Sequence, residues 1–94
     1  MKIPRKLIIS GHELTIIHKK KIIVNGAECY GFYDPEKKII CLKASMAPAR
    51  KKEIFIHEYL HFLEDIYRID IGEMKVSSLS LGLLQLLDNP KVEL

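Results

Sequence analysis

Two hydropathy patterns divide the chain. Up to about Lys43 the apolar residues come in short β-branched runs separated by turn residues, and from Ala47 onward they recur at helical spacing. Leu7-Ile8-Ile9 and Leu14-Thr15-Ile16-Ile17 predict two strands, with Ser10-Gly11-His12 as the turn between them. Lys21-Ile22-Ile23-Val24 ends at Asn25-Gly26, a dipeptide that favours tight hairpin turns, and Glu28-Cys29-Tyr30-Gly31-Phe32-Tyr33 follows as the next strand. Asp34-Pro35-Glu36-Lys37 has a type I turn signature, with Pro in second place, and leads into Lys38-Ile39-Ile40-Cys41-Leu42-Lys43. Tyr30–Tyr33 and Ile39–Leu42 are therefore expected to form a β-hairpin.

The second half predicts two helices. Pro48 suits the first turn of a helix beginning near Ala47, where its missing N–H is not needed, and that helix should run to about Ile66. Ile56, Tyr59, Leu60 and Leu63 are its expected core-facing stripe. Arg68-Ile69-Asp70-Ile71-Gly72 connects it to a second helix opened by Glu73, whose charge complements the helix dipole. Val76, Leu79, Leu83 and Leu86 are the expected inward stripe of that helix. Leu81, Leu84 and Leu87 suggest a further apolar face, suited to a homodimer contact. Gly82 in mid-helix costs roughly 1 kcal/mol, with close packing on the first helix as the expected compensation. Asp88-Asn89-Pro90 should stop the helix, Asn taking a left-handed cap. The expected architecture is one α+β domain over residues 1–94. A small, mostly antiparallel sheet of three to four strands (about 6–43) packs on helices at about 48–66 and 73–88, with a tail at 89–94.

Composition narrows the function. At 48% hydrophobic and 29% charged, the chain is an ordinary globular sequence, and no apolar run approaches the length of a membrane span. The basic start is followed by too short an apolar patch for a signal peptide, so a cytoplasmic location is the default expectation. The net charge of +3 is mild, and Lys19-Lys20-Lys21 is expected to be a solvated turn or strand end rather than an anion patch. Without aromatic–basic interleaving nearby, neither nucleic acid nor membrane is an expected partner. Cys29 and Cys41 are too few for a structural zinc site and are expected as two free buried thiols.

Chemistry concentrates in His57-Glu58-Tyr59-Leu60-His61, an H-E-x-x-H set inside the apolar run Ile54–Leu63. Histidines four residues apart on a helix lie about 40° apart around the axis, so both imidazoles can reach one ion. Glu58 stands beside the first of them, placed to take a proton from water at the metal. Zinc suits neutral imidazole and carboxylate donors around an open tetrahedral position. A plain core helix would have to bury three ionisable groups among Ile, Phe and Leu, where unpaired polar groups cost a few kcal/mol each. Candidates for the third ligand after His61 are Glu64, Asp65, Asp70, Glu73 and Asp88. Glu73 is favoured, because the following helix can return alongside the first; the alternative for Glu73 is a helix-start carboxylate that only serves the dipole.

Several segments together carry a family resemblance: Gly31-Phe32-Tyr33-Asp34, Lys38–Leu42, Pro48, Ile56–His61 and Glu73-Met74-Lys75-Val76. Over roughly residues 28 to 89 the chain resembles the compact gluzincin metallopeptidases, the minigluzincins and the ImmA/IrrE-like peptidases. The resemblance implies a zincin-like minimal catalytic domain holding Zn2+ on His57, His61 and Glu73. Glu58 would be general base and acid in hydrolysis of a peptide or protein substrate. Ser77 stands where many relatives carry an acidic or amide residue, and the spacer from His61 to Glu73 is shorter than in most. The family includes latent forms whose C-terminal segment blocks the cleft, a role open to Glu93 or the terminal carboxylate in Lys91-Val92-Glu93-Leu94. An extended substrate is expected along the strand Lys38–Leu42. Tyr67, His12 and Tyr30 are the candidate oxyanion partners. Two alternatives stand beside the peptidase. One is a non-catalytic zinc-stabilised interaction or regulatory module; the other is a metal-dependent endoribonuclease, whose third histidine would fall at Tyr67.

Overall fold

Turn chemistry sets the first third of the fold. In the computed structural model, which describes residues 1–91, Ser10 and Gly11 both take positive φ (49° and 79°), and so do Asn25 and Gly26 (51° and 80°). Positive φ at both central residues is the two-residue hairpin geometry that matches strand twist. The first turn joins β1 (Lys6–Ile9) to β2 (His12–Lys19), so His12 belongs to the strand and not to the turn. The second joins β3 (Ile22–Val24) to β4 (Ala27–Cys29) in a separate two-stranded sheet. The single strand expected over Glu28–Tyr33 breaks at Tyr30, and β5 (Gly31–Asp34) pairs antiparallel with β6 (Ile39–Lys43). Asp34 organises their connection, its Oδ1 accepting the backbone N–H groups of Glu36 (3.0 Å) and Lys37 (3.3 Å).

The four-stranded sheet has the order β1-β2-β6-β5, with β2 and β6 parallel and the other two pairings antiparallel. The protein is thus α+β with a mostly antiparallel main sheet, as its sequence predicts. β6 is an interior strand, which overturns its expected role as the substrate edge; the free edge belongs to β5. Tyr30 C=O accepts from Lys43 N–H at 2.8 Å. Antiparallel alternation then ties Phe32 and Asp34 to β6 and turns the backbone groups of Gly31 and Tyr33 outward.

Alternation along the strands separates two faces. Leu14, Ile16, Tyr33, Ile40 and Leu42 point to one side, all buried. There they meet Phe55, Ile56, Leu60 and Phe62 of α1 (Pro48–Tyr67), with Tyr33 edge-on to Phe62 at 5.8 Å between ring centroids. The stripe of α1 is therefore rotated slightly from the expected one: Phe55 and Phe62 are buried, while Tyr59 and Leu63 are only partly so. α2 (Glu73–Leu87) packs on α1 through Val76, Ser80 and Leu84. Its expected stripe is corrected in the same way: Leu79 (47%), Leu83 (36%) and Leu86 (52%) are exposed. The proposed extra face is redistributed too, since Leu84 is buried and Leu87 packs on the core, leaving Leu81 with the exposed leucines. Ser80 is tolerated in the core because its hydroxyl donates to Val76 C=O at 2.7 Å. Nothing lies within 4 Å of where a Gly82 Cβ would be, so the expected close packing at that glycine is absent.

The helix ends also differ from expectation. Arg68 at the end of α1 takes the left-handed conformation (φ 54°), whereas Asp88 ends α2 at φ −97° and Asn89 is not left-handed. Cys29 and Cys41 lie in different sheets as free thiols, Cys41 buried and Cys29 only half-buried. Among the described residues no helix is long and apolar enough to cross a membrane. The tail positions proposed to block the cleft, Glu93 and the terminal carboxylate, lie outside the described residues.

Candidate metal centre

α1 carries His57 and His61 on successive turns, facing the start of α2. Their Nε2 atoms lie 3.3 Å apart. Glu73 reaches across from the first turn of α2, its Oε1 at 2.6 Å from His57 Nε2 and its Oε2 at 2.9 Å from His61 Nε2. One donor atom from each of the three residues falls within a 4.8 Å cluster. A tetrahedral ion bonded at about 2.0–2.1 Å sets neighbouring nitrogen ligands about 3.3–3.4 Å apart, so the imidazole pair stands at ion-sharing distance. The carboxylate sits nearer, at hydrogen-bond distance, and would have to withdraw by roughly half an ångström to share an ion with the imidazoles. With 68% of its side chain exposed, Glu73 has room for that movement. Two imidazoles and one carboxylate leave one tetrahedral position open, the donor set of catalytic rather than structural zinc. The residues fit the ion.

Glu64, a possible ligand by its place in the sequence, instead stands behind His61, with Oε1 at 2.6 Å from Nδ1. Such a partner keeps the proton on Nδ1 and leaves the Nε2 lone pair for a metal. Oε2 of the same carboxylate accepts the backbone N–H groups of Ile71 (2.8 Å) and Gly72 (3.3 Å), and the Glu64 C=O accepts from Ile69 at 3.1 Å. One side chain therefore orients a histidine and folds the connector that delivers Glu73. Gly72 makes the final bend at φ 90°, a conformation that side chains other than hydrogen rarely adopt. Burial would push the Glu64 carboxyl up, but the Ile71 N–H, the His61 ring and the Gly72 N–H outweigh it and hold it below the usual carboxylate range. The sequence signal was available: a carboxylate three residues after the second histidine lies on the same helix face.

Glu58 projects towards β5. Burial raises its pKa above the ordinary carboxylate value; His57 and His61 pull it down, Glu73 pushes it up, and the Tyr33 N–H pulls it down. A carboxylate that takes up a proton readily and lies beside two imidazoles suits general base and acid work. Gly31 makes room for it: a Cβ there would collide with Ile54 and come within 3.4 Å of the Glu58 side chain.

Two cavities meet at His57 and Glu58. The larger, about 620 Å³, opens between β5 and α1 and includes Tyr33, His61, Asp70 and Glu73. The smaller, about 260 Å³, continues past Gly31 to Tyr30, Arg50 and Ser77. Together they follow the free edge of β5.

Of the remaining ligand candidates, Asp70 lines the larger cavity, while Asp65 and Asp88 have other partners. Asp65 accepts from Tyr33 Oη (2.5 Å) and Lys38 Nζ (2.7 Å), which pins the β5–β6 turn to α1. Asp88 pairs with Lys52 at 3.2 Å and with the Met1 amino group. Tyr67 Oη bonds Ser10 Oγ at 2.5 Å, and neither Tyr67 nor His12 lines the cleft. Of the three candidate oxyanion partners only Tyr30 borders it, with Lys43 Nζ 5.1 Å from its ring centre.

Comparison with family models, with curated proteins and with solved structures returned no match.

Proposed function

We propose that this protein is a zinc-dependent metallopeptidase of gluzincin type, with His57, His61 and Glu73 as metal ligands and Glu58 as general base and acid. One observation carries the reading: both histidine Nε2 atoms and the Glu73 carboxylate converge on one point, beside a half-buried glutamate and a free sheet edge. Zinc bound there supplies a Lewis acid, which polarises a peptide carbonyl and lowers the pKa of water towards 7. A substrate strand pairs with the outward backbone groups of Gly31 and with the Tyr33 C=O, the Tyr33 N–H being taken by Glu58, which fixes register while reading little sequence. Its side chains alternate between the groove along α1 and solvent. Glu58 takes the proton from the attacking water and then returns it to the leaving amine, so the carboxyl ends the cycle as it began. Glu64 holds His61 in the tautomer that this requires.

The test is Glu58→Gln, which keeps size and shape and removes the base. Zinc content should match the parent while cleavage of unfolded casein falls by at least ~100-fold, within the range expected for loss of general-base catalysis. Equal cleavage by both proteins would refute the role of Glu58.

A further inference from the structure

The main sheet is apolar on both faces, yet the helices cover only one. On the other face lie Ile17, Phe32, Ile39 and Cys41, roofed by the β3–β4 hairpin. The roof is incomplete. A cavity of about 470 Å³ remains between hairpin and sheet, within the size range of small-molecule sites. Its walls are well shielded in part: Ile22 is 5% exposed and Cys41 8%.

The rim has a different character. Lys19, Lys21 and Lys37 line it, and none of the three has an ion-pair partner among the described residues. Five other side-chain cations are paired: Lys6 with Glu13, Lys38 with Asp65, Lys43 with Glu28, Arg50 with Glu53 and Lys52 with Asp88. What sets the rim apart is not the lack of ion pairs, which other lysines share, but that three such lysines meet at one cavity mouth. Asp34 also lines the cavity, but its Oδ1 is taken by the N–H groups of Glu36 and Lys37. Three lysines around one carboxylate leave the mouth positive. Burial raises the Cys41 thiol pKa; Lys19 lowers it, Asp34 raises it and Lys37 lowers it, so the charges of the rim are felt at the cavity wall.

We propose that this cavity binds a small amphipathic anion, with an apolar chain or ring against Ile17, Ile39 and Cys41 and a carboxylate-like head among Lys19, Lys21 and Lys37. Apolar contact supplies affinity, and the lysines select the charge of the head. The site needs no metal and lies on the sheet face opposite the His57–His61 cluster, so it stands or falls separately from the peptidase reading. The lysine run is thus more than a solvated strand end: Lys19 ends β2 and Lys21 precedes β3, and the reversal between them brings both to one rim.

Decanoate is the probe. Titrated into uniformly 15N-labelled protein, it should shift the amides of Ile17, Ile22, Ile39 and Cys41 while leaving those of α2 unmoved. The Lys19→Ala/Lys37→Ala double variant should keep the parent spectrum and bind at least ~10-fold more weakly, and decanol should bind the parent more weakly by a similar factor. Alkylation of Cys41 in a Cys29→Ser background should slow as decanoate saturates. Shifts confined to the exposed leucines of α2, equal affinity for decanol and decanoate, or no binding at millimolar probe would each overturn the proposal.

Discussion

Replacing Glu64 by alanine should damage the fold and the metal site together, in amounts that can be separated. The carboxylate accepts from Ile71 N–H at 2.8 Å, from Gly72 N–H at 3.3 Å and from the His61 ring at 2.6 Å. Hydrogen bonds to a charged acceptor contribute about 1.5–3 kcal/mol each, and long ones less. The connector is only half-buried, so water recovers part of the loss, and Glu64→Ala should cost about 2–4 kcal/mol in the metal-free protein. Glu64→Gln keeps one accepting oxygen and should lose about half as much. Zinc affinity should fall a further 10–100-fold, about 1.4–2.8 kcal/mol, because His61 loses the partner that fixes its tautomer and the connector no longer holds Glu73 in place. Urea unfolding in the presence of chelator isolates the first quantity, and competition with a chromophoric zinc indicator isolates the second. Metal-free stability within about 0.5 kcal/mol of the parent, together with unchanged zinc affinity, would refute the reasoning.

Three further outcomes follow from particular contacts. Gly31→Ala should cost about 1–3 kcal/mol through overpacking against Ile54, and should lower peptidase activity too because the added methyl touches Glu58; thermal melts and casein cleavage check both. Hydrogen bonds from Lys38 and Tyr33 hold the Asp65 pKa below its unfolded value, so its contribution is present above about pH 4 and is lost as pH falls through the folded value; Asp65→Asn should flatten that acid limb in urea melts across pH. Burial, then the hydrogen bond to Asp65, raises the Tyr33 pKa, so its contribution is intact below about pH 10 and is lost as pH rises further; Tyr33→Phe should flatten the alkaline limb.

The local parts of this fold were legible because local chemistry fixes them. Asn25-Gly26 and Asp34-Pro35 specify their turns, Pro48 marks the start of α1, and the Arg68–Gly72 connector is short enough to demand antiparallel helices. The parallel pairing of β2 with β6 was hidden, since nothing in either strand announces a partner some twenty residues away across a separate hairpin. That pairing makes β6 an interior strand and moves the free edge one strand outward, to β5. The inward face of α2 was ambiguous for another reason. Leucines occupy every side of it, and helical periodicity fits Val76-Leu79-Leu83-Leu86 as well as Val76-Ser80-Leu84-Leu87. Only packing against α1 chooses, and it chooses the stripe with a serine whose hydroxyl can bond its own helix. Within the site, the H-E-x-x-H spacing puts His57 and His61 together by helix geometry alone. Glu73 needs the connector to turn back, and spacing alone does not distinguish Glu64 as a ligand from Glu64 as the carboxylate that holds that turn.

The most direct test is a zinc titration of untagged, chelator-stripped protein. One ion per chain should bind tightly, and His57→Ala, His61→Ala and Glu73→Gln should each weaken it by at least ~100-fold while chelated samples keep their far-ultraviolet spectrum. Substoichiometric binding, or affinity indifferent to removal of either imidazole, would mean that no ion belongs between these two helices.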